Sequence, residues 1–344
     1  MKAKLKFSLS LVAVIALIAI VVGVVAGRAS SGTSTSSGGG AGGATAGKKV
    51  DVIIKASDSS FWQTMLAGAR RAADDYGLKV GLFGPTSETD VNEQVQLVEN
   101  SISRGADAIV LAPNSSDALN SVIKRARDGG TKVIVADTSV TTPTEGFIGT
   151  DNIKAGQQAG ERMCQLAKQQ GTTSGDILIE SSVAGIQTLK DRDSGFRAGL
   201  KACPGLRVAT QRYNNNDINT AASQVNDVLT ANRNLVGVFA DNNTSGTGAA
   251  RAIKDNNAAE RIPVVAFDTD PQENAALKDG SIDALVVQNP YFFGYQGVLE
   301  AGMAAVNAQP PLNLDPGAVV ADKANMGTPA VKPLLNPPTA QAQG

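Results

Sequence analysis

The sequence predicts an α/β fold built as two similar lobes, each a doubly wound parallel sheet, and three observations carry that prediction. From Val50 onward, short β-branched runs alternate with longer stretches of helical period, the pattern of βαβ units. The alternation runs through once and begins again after Thr150. A chain of 344 residues, 42% hydrophobic and 18% charged, can bury cores for about two domains.

In the first series the expected strands are Val50–Ile54, Lys79–Phe83, Ala108–Leu111 and Lys132–Ala136. Helices are expected at about Ser60–Tyr76, Asp90–Arg104 and Asp117–Asp128, each stopping at or before Gly77, Gly105 or Gly129, where a residue free to take positive φ can close the last turn. Ser59 or Ser60, Ser87, and Ser115 or Ser116 are the matching N-cap candidates, with Ser87 and Asp90 reading as an acidic capping box. The second series places strands near Asp176–Glu180, Arg207–Thr210, Gly237–Ala240, Pro263–Phe267 and Ala284–Val287.

In open sheets of this kind ligands bind beyond the carboxyl ends of the strands. The residues at five such ends are Lys55, Asp137, Asn242, Asp268 and Gln288. All can hydrogen-bond, and they come from both halves, which points to one convergent ligand site. Ser59-Ser60-Phe61-Trp62 opens the first helix and sets two aromatics near the same crevice. Sugars present C–H groups on their faces and hydroxyls round their edges, so aromatic faces combined with planar polar side chains suit them. Arg192, in the Asp191-Arg192-Asp193 helix start, reads from its own surroundings as a surface arginine paired with a neighbouring aspartate.

Composition excludes several functions. The chain has no histidine, which removes the commonest general base and metal ligand. Net charge is -1 with basic residues dispersed, so no positive stripe for nucleic acid exists. Catalytic residues, metal sites and cofactors are accordingly expected to be none. Cys164 and Cys203 are the two cysteines, read either as a disulfide or as two separate buried thiols.

Lys2, Lys4 and Lys6 precede an apolar run from Leu11 to Ala26, the order of an export signal or an uncleaved anchor. Residues 28–47 are largely Gly, Ser, Thr and Ala, the composition of a flexible tether. The chain is therefore expected outside the cytoplasm, touching membrane only through its N-terminal 27 residues.

The order and spacing of these segments from Val50 to about Val320 resemble the ribose-binding branch of the periplasmic sugar-binding proteins, whose fold is shared with the lac-repressor family. The resemblance rests on Ser59-Ser60-Phe61-Trp62, Val133-Ile134-Val135-Ala136-Asp137, Asp191-Arg192-Asp193-Ser194-Gly195-Phe196, Val238-Phe239-Ala240-Asp241-Asn242-Asn243, Val264-Val265-Ala266-Phe267-Asp268 and Val287-Gln288-Asn289-Pro290. It implies hydrogen bonds to sugar hydroxyls from Asp137, Arg192, Asn242, Asp268 and Gln288, with Phe61 and Trp62 stacking on the ring. The sequence departs from ribose binders at Lys55, Ser59, Thr138 and Asn216. Lys55 is then expected to partner Asp137 in place of the arginine that Thr138 replaces, and a polyol becomes as suitable a ligand as a pentose. The resemblance further implies a monomer that hands its ligand to the permease of an ABC importer. It divides the chain into residues 48–151 plus 289–312 for the first lobe, 152–288 plus 313–328 for the second, and a flexible tail over 329–344. A receptor for furanosyl autoinducers, which also carries a lysine after the first strand, is the alternative.

Overall fold

A computed structural model describes residues 42–339. The expected export signal and most of the expected tether lie outside the described residues. Among those described, no helix is long and apolar enough to cross a membrane.

Two six-stranded sheets are present. The first contains β1 (Lys49–Ile53), β2 (Lys79–Phe83), β3 (Ala108–Leu111), β4 (Lys132–Ala136), β5 (Gly146–Ile148) and, much later in the chain, β11 (Asn313–Leu314). Their order is β11-β5-β4-β3-β1-β2 and every pairing is parallel. The second sheet contains β6 (Gly175–Ser181), β7 (Leu206–Tyr213), β8 (Leu235–Ala240), β9 (Val264–Phe267), β10 (Ala284–Val287) and β12 (Val319–Ala321), in the order β12-β10-β9-β8-β6-β7. Strands such as β3 and β10 are unbroken Val, Ile, Leu and Ala runs, buried throughout, because helices cover both faces. One edge departs from the expected parallel sheet: β12 runs antiparallel to β10. The three strands absent from the sequence reading, β5, β11 and β12, have only two or three residues each, too few to show a period.

The helices are α1 (Gly42–Thr45), α2 (Ser60–Tyr76), α3 (Val91–Ser103), α4 (Asn120–Asp128), α5 (Asn152–Gln169), α6 (Gln187–Gly199), α7 (Ile218–Ala231), α8 (Asn243–Asp255), α9 (Pro271–Asp279), α10 (Pro290–Ala305) and α11 (Lys332–Leu335). α2 ends as expected at Gly77, whose φ of 67° lets its N–H reach Ala73 O. The expected Ser87 cap is corrected, since Asp90 itself accepts from the Glu93 N–H at 2.9 Å. α4 starts three residues later than expected, because Ser115 Oγ caps a separate turn by accepting from Ala118 N at 3.2 Å.

The chain passes between lobes after β5, after β10 and between Leu314 and Val319. β11 pairs with β5, so the last boundary falls after Leu314 rather than at residue 313. Residues 42–47, expected as tether, join the first lobe: Thr45 is buried and donates to Tyr76 O at 3.2 Å. The segment from Pro329, expected as a flexible tail, packs instead on the second lobe through buried Val331 and Leu335. There Asn274 Nδ2 donates to Leu335 O at 2.5 Å. Cys164 on α5 and Cys203 after α6 form a disulfide, with Cα atoms 5.8 Å apart.

In each lobe the helix that follows a crossing packs backbone to backbone on a helix facing the crevice. A Cβ at Gly68 of α2 would meet Tyr291 O of α10 at 2.0 Å, and one at Gly156 of α5 would meet Arg192 O of α6 at 2.2 Å. Only glycine permits this approach.

Candidate functional site

The carboxyl ends of both sheets open on one crevice enclosing about 390 Å³ of free space, mouth included. From the first lobe it is lined by Lys55, Ser59, Phe61, Trp62, Glu88 and Asp137. The second lobe contributes Ser182, Ile186, Thr188, Leu189, Arg192, Asn242, Asn243, Asp268 and Gln288. Nine of the eleven expected site residues are among these; Thr138 and Asn216 are not.

Asp137 follows β4 with φ 63° and Asp268 follows β9 with φ 75°. Each is pinned by its own backbone N–H, which donates to Ile148 O at 2.8 Å in the first case and to Val286 O at 2.9 Å in the second. Aspartate tolerates the left-handed region better than most residues. The turn lifts each carboxylate off its strand end into the crevice.

Lys55 extends β1 and is 3% exposed. Its Nζ donates to Asp137 Oδ2 at 2.6 Å and to Thr138 Oγ1 at 2.7 Å, the partnership expected from the missing arginine. Thr138 therefore stands behind the crevice wall and supports the pair. It also hydrogen-bonds Thr188 of the second lobe, a direct polar contact across the cleft.

Arg192 is buried, which corrects the surface reading its own neighbourhood suggested. α6 enters the crevice at its first turn, and the guanidinium lies with Cζ 4.2 Å from the Phe267 ring centroid. Nε donates to Asn152 Oδ1 at 2.8 Å and Nη1 to Asp241 O at 2.7 Å, with Asp268 Oδ2 3.8 Å away. Gln288 Nε2 donates to Asp268 Oδ1 at 2.6 Å, while Gln288 Oε1 is buried with no partner among the described residues. Burial pushes the Asp268 carboxyl above its ordinary range, opposed by Arg192 and then by the Gln288 bond.

Asn242 caps α8, accepting from Ser245 N at 3.0 Å, and its Nδ2 donates to Asn216 Oδ1 at 2.8 Å. Asn216 thus orients Asn242 from outside the crevice. The aromatic pair packs edge to face with centroids 4.7 Å apart, and Lys55 Nζ lies 5.3 Å from the Trp62 ring centroid.

Sequence reasoning missed Glu88, Ser182 and Asn152. Ser182 was within reach of the strand-end argument, since it follows β6 by one residue. Glu88 was not, because Gly84 and Pro85 follow β2 directly and the acid comes four residues after Gly84. Asn152 begins the second lobe's first segment, and its contact with Arg192, 40 residues away, has no signature in the sequence. Three carboxylates, an arginine, a lysine and planar amides around an aromatic face can make paired hydrogen bonds to adjacent hydroxyls of a small ligand.

Residues 50–309 match the family described as periplasmic binding protein domain. The chain is 27% identical over 256 residues to the ribose import binding protein of Salmonella typhimurium, covering 74% of this chain and 84% of that one. Identity to the D-allose-binding periplasmic protein of Escherichia coli is 25% over 263 residues, with 74% and 84% covered. Among solved structures, a carbohydrate transporter solute-binding protein of Agrobacterium radiobacter in complex with D-arabinose superposes with TM-score 0.82 at 34% identity, over 85% of this chain and 99% of that one. An ABC transporter solute-binding protein of Agrobacterium vitis with bound D-fucose gives 0.79 at 32% identity, over 83% and 99%. With a family match over residues 50–309 and a superposition covering 85% of its length, the chain belongs to the periplasmic binding protein family and is ribose-binding-protein-like within it.

Proposed function

We propose that this chain captures a pentose-like sugar or a sugar alcohol between its lobes and delivers it to the permease of an ABC importer, without chemical turnover. The observation that carries the reading is the convergence of Asp137 from the first lobe with Arg192 and Asp268 from the second on one crevice. A ligand bridging them makes bonds available only when the lobes close, so binding selects the closed state. Relatives that bind ribose and allose, and similar structures holding D-arabinose and D-fucose, support a hydroxylated ligand. The basic-then-apolar amino terminus supports export and a membrane tether, and the chain acts as a monomer.

Phe61, Trp62, Ser59, Asn242 and Gln288 complete the ligand contacts in this reading, with Lys55 reaching both Asp137 and a ligand hydroxyl. A furanosyl autoinducer would also meet Lys55, but a buried Arg192 beside Asp268 favours a ligand with hydroxyls on both edges. Mass spectrometry of ligand retained by the purified protein, followed by isothermal titration against pentoses, hexoses, inositols and pentitols, tests the proposal. Absence of binding to every sugar and polyol would sink it.

A further inference from the structure

We propose that Glu88 is a positioning residue: its carboxylate sets the Trp62 indole against the ligand, so that capture responds to the charge on Glu88. The inference rests on the sugar-binding reading above and assigns a role to a residue that neither β-strand ends nor helix periodicity single out.

Trp62 is the chain's one tryptophan and lies on α2, whereas Glu88 comes from the loop between β2 and α3. The indole Nε1 donates to Glu88 Oε1 at 2.7 Å. This bond ties the opening of α2 to a loop that lies well away from it in the chain. The ring also packs edge to face with Phe61, and the Lys55 ammonium lies 5.3 Å from its centroid. An indole fixed in this way keeps its face toward the crevice without the entropy loss of ordering it on binding.

The charge on the acceptor matters as much as its place. An ionised carboxylate makes a shorter and stronger bond to an N–H than a neutral acid does. It also draws the indole proton outward and leaves the ring face richer in electrons, which favours contact with sugar C–H groups and with Lys55. The charged groups acting on Glu88 are Lys55, which favours its ionised form, and Asp137 and Asp268, which oppose it. Burial acts more strongly than any of these and raises its titration above the ordinary glutamate range. The ionised form is therefore lost as pH falls through that raised value, and the hold on Trp62 weakens in the same interval.

The test uses the full chain as it stands, and Trp62 is its own reporter. Indole emission of the ligand-free protein is followed from about pH 4 to about pH 8, beside Glu88→Gln, which keeps shape and acceptor but cannot ionise. A single emission transition in the parent that is absent from Glu88→Gln supports the proposal. A pH-independent parent, or a transition surviving in Glu88→Gln, overturns it.

Affinity is then measured for D-ribose, D-allose, D-arabinose and D-fucose, using the tightest. The parent is expected to lose affinity on acidification more steeply than Glu88→Gln, in which the raised carboxyl of Asp268 still titrates, and Glu88→Ala is expected to bind about tenfold more weakly near pH 8. Parent affinity independent of pH would overturn the link to capture. If none of the four sugars binds the parent, the functional reading falls, while the emission titration still decides the role of Glu88.

Discussion

Asp137 and Asp268 occupy equivalent places in the two lobes: each follows a central strand, each has positive φ, and each donates its N–H to the next strand in the sheet. They differ in partner. Asp137 has a lysine at 2.6 Å and Asp268 a glutamine at 2.6 Å with the arginine farther off. The two walls of the crevice are thus built on one plan but charged differently, and that difference sets what each substitution should do.

Asp268→Asn should remove ligand binding with little effect on the fold. Asparagine also accepts positive φ, so the turn survives, while the charged acceptor between Gln288 and Arg192 is lost. Affinity for the tightest-binding sugar is expected to fall about hundredfold, with the melting temperature moving by no more than about 3 °C. Retained affinity in calorimetry would place the site elsewhere.

Lys55→Met should act on stability as well as binding. Removing the lysine leaves the Asp137 carboxylate, 5% exposed, without its cation and with the Thr138 hydroxyl as a hydrogen-bond donor. Breaking a buried pair on one side costs about 3–5 kcal/mol. Urea denaturation is expected to show a loss of that order, with most of it recovered when Asp137→Asn is added. Two single variants whose losses simply add would show that the pair is not coupled.

The disulfide should matter to folding and not to the ligand. Cys164 and Cys203 are 39 residues apart, one in the last turns of α5 and the other beyond the end of α6, and neither lines the crevice. Closing a loop of that length stabilises by about 4 kcal/mol in the chain-entropy account. Cys164→Ser with Cys203→Ser is expected to lower the denaturation midpoint while leaving sugar affinity within about twofold.

Glu300 on α10 gives a pH dependence of known sign. It is fully buried, Oε1 accepts from Gln296 Nε2 at 3.2 Å, and Oε2 has no partner among the described residues. Burial raises its carboxyl from the ordinary 4.5 to about 7. The folded chain therefore holds a proton that the unfolded chain releases between those values. Its contribution is fully present below 4.5 and lost as pH rises through 7. Glu300→Gln should be more stable than the parent near pH 8, by up to about 3 kcal/mol, and no more stable near pH 4. An equal gain at both pH values would assign the effect to packing.

How far these groups could be read from the sequence varied with the physics behind each. The central strands were legible because burial on both faces forces Val, Ile and Ala together. Asp137, Asn242, Asp268 and Gln288 were legible because the ends of parallel strands are where an α/β crevice opens. The burial of Arg192 was not legible locally, since Asp191 and Asp193 offer equally good surface partners. It depends on Phe267, Asn152 and Asp241, which lie in distant parts of the chain. The Trp62 bond to Glu88 was illegible for the same reason, and β12 was too short to announce that it runs antiparallel. Capping was half legible: the start of α3 was found, but the choice between Ser87 and Asp90 turned on one turn of backbone.

The glycine contacts of α2 with α10 and of α5 with α6 carry a mechanical consequence. α10 and α5 begin at crossings between the lobes, while α2 and α6 hold Trp62 and Arg192. Where backbone meets backbone, at Gly68 and Gly294 in one pair and at Gly156 and Gly195 in the other, no side chain stands between the helices to absorb a rotation. In the proposed closure each pair acts as a stiff lever, fulcrum at the crossing and working tip at the ligand, so a small turn at the crossing is passed on to the crevice with little loss.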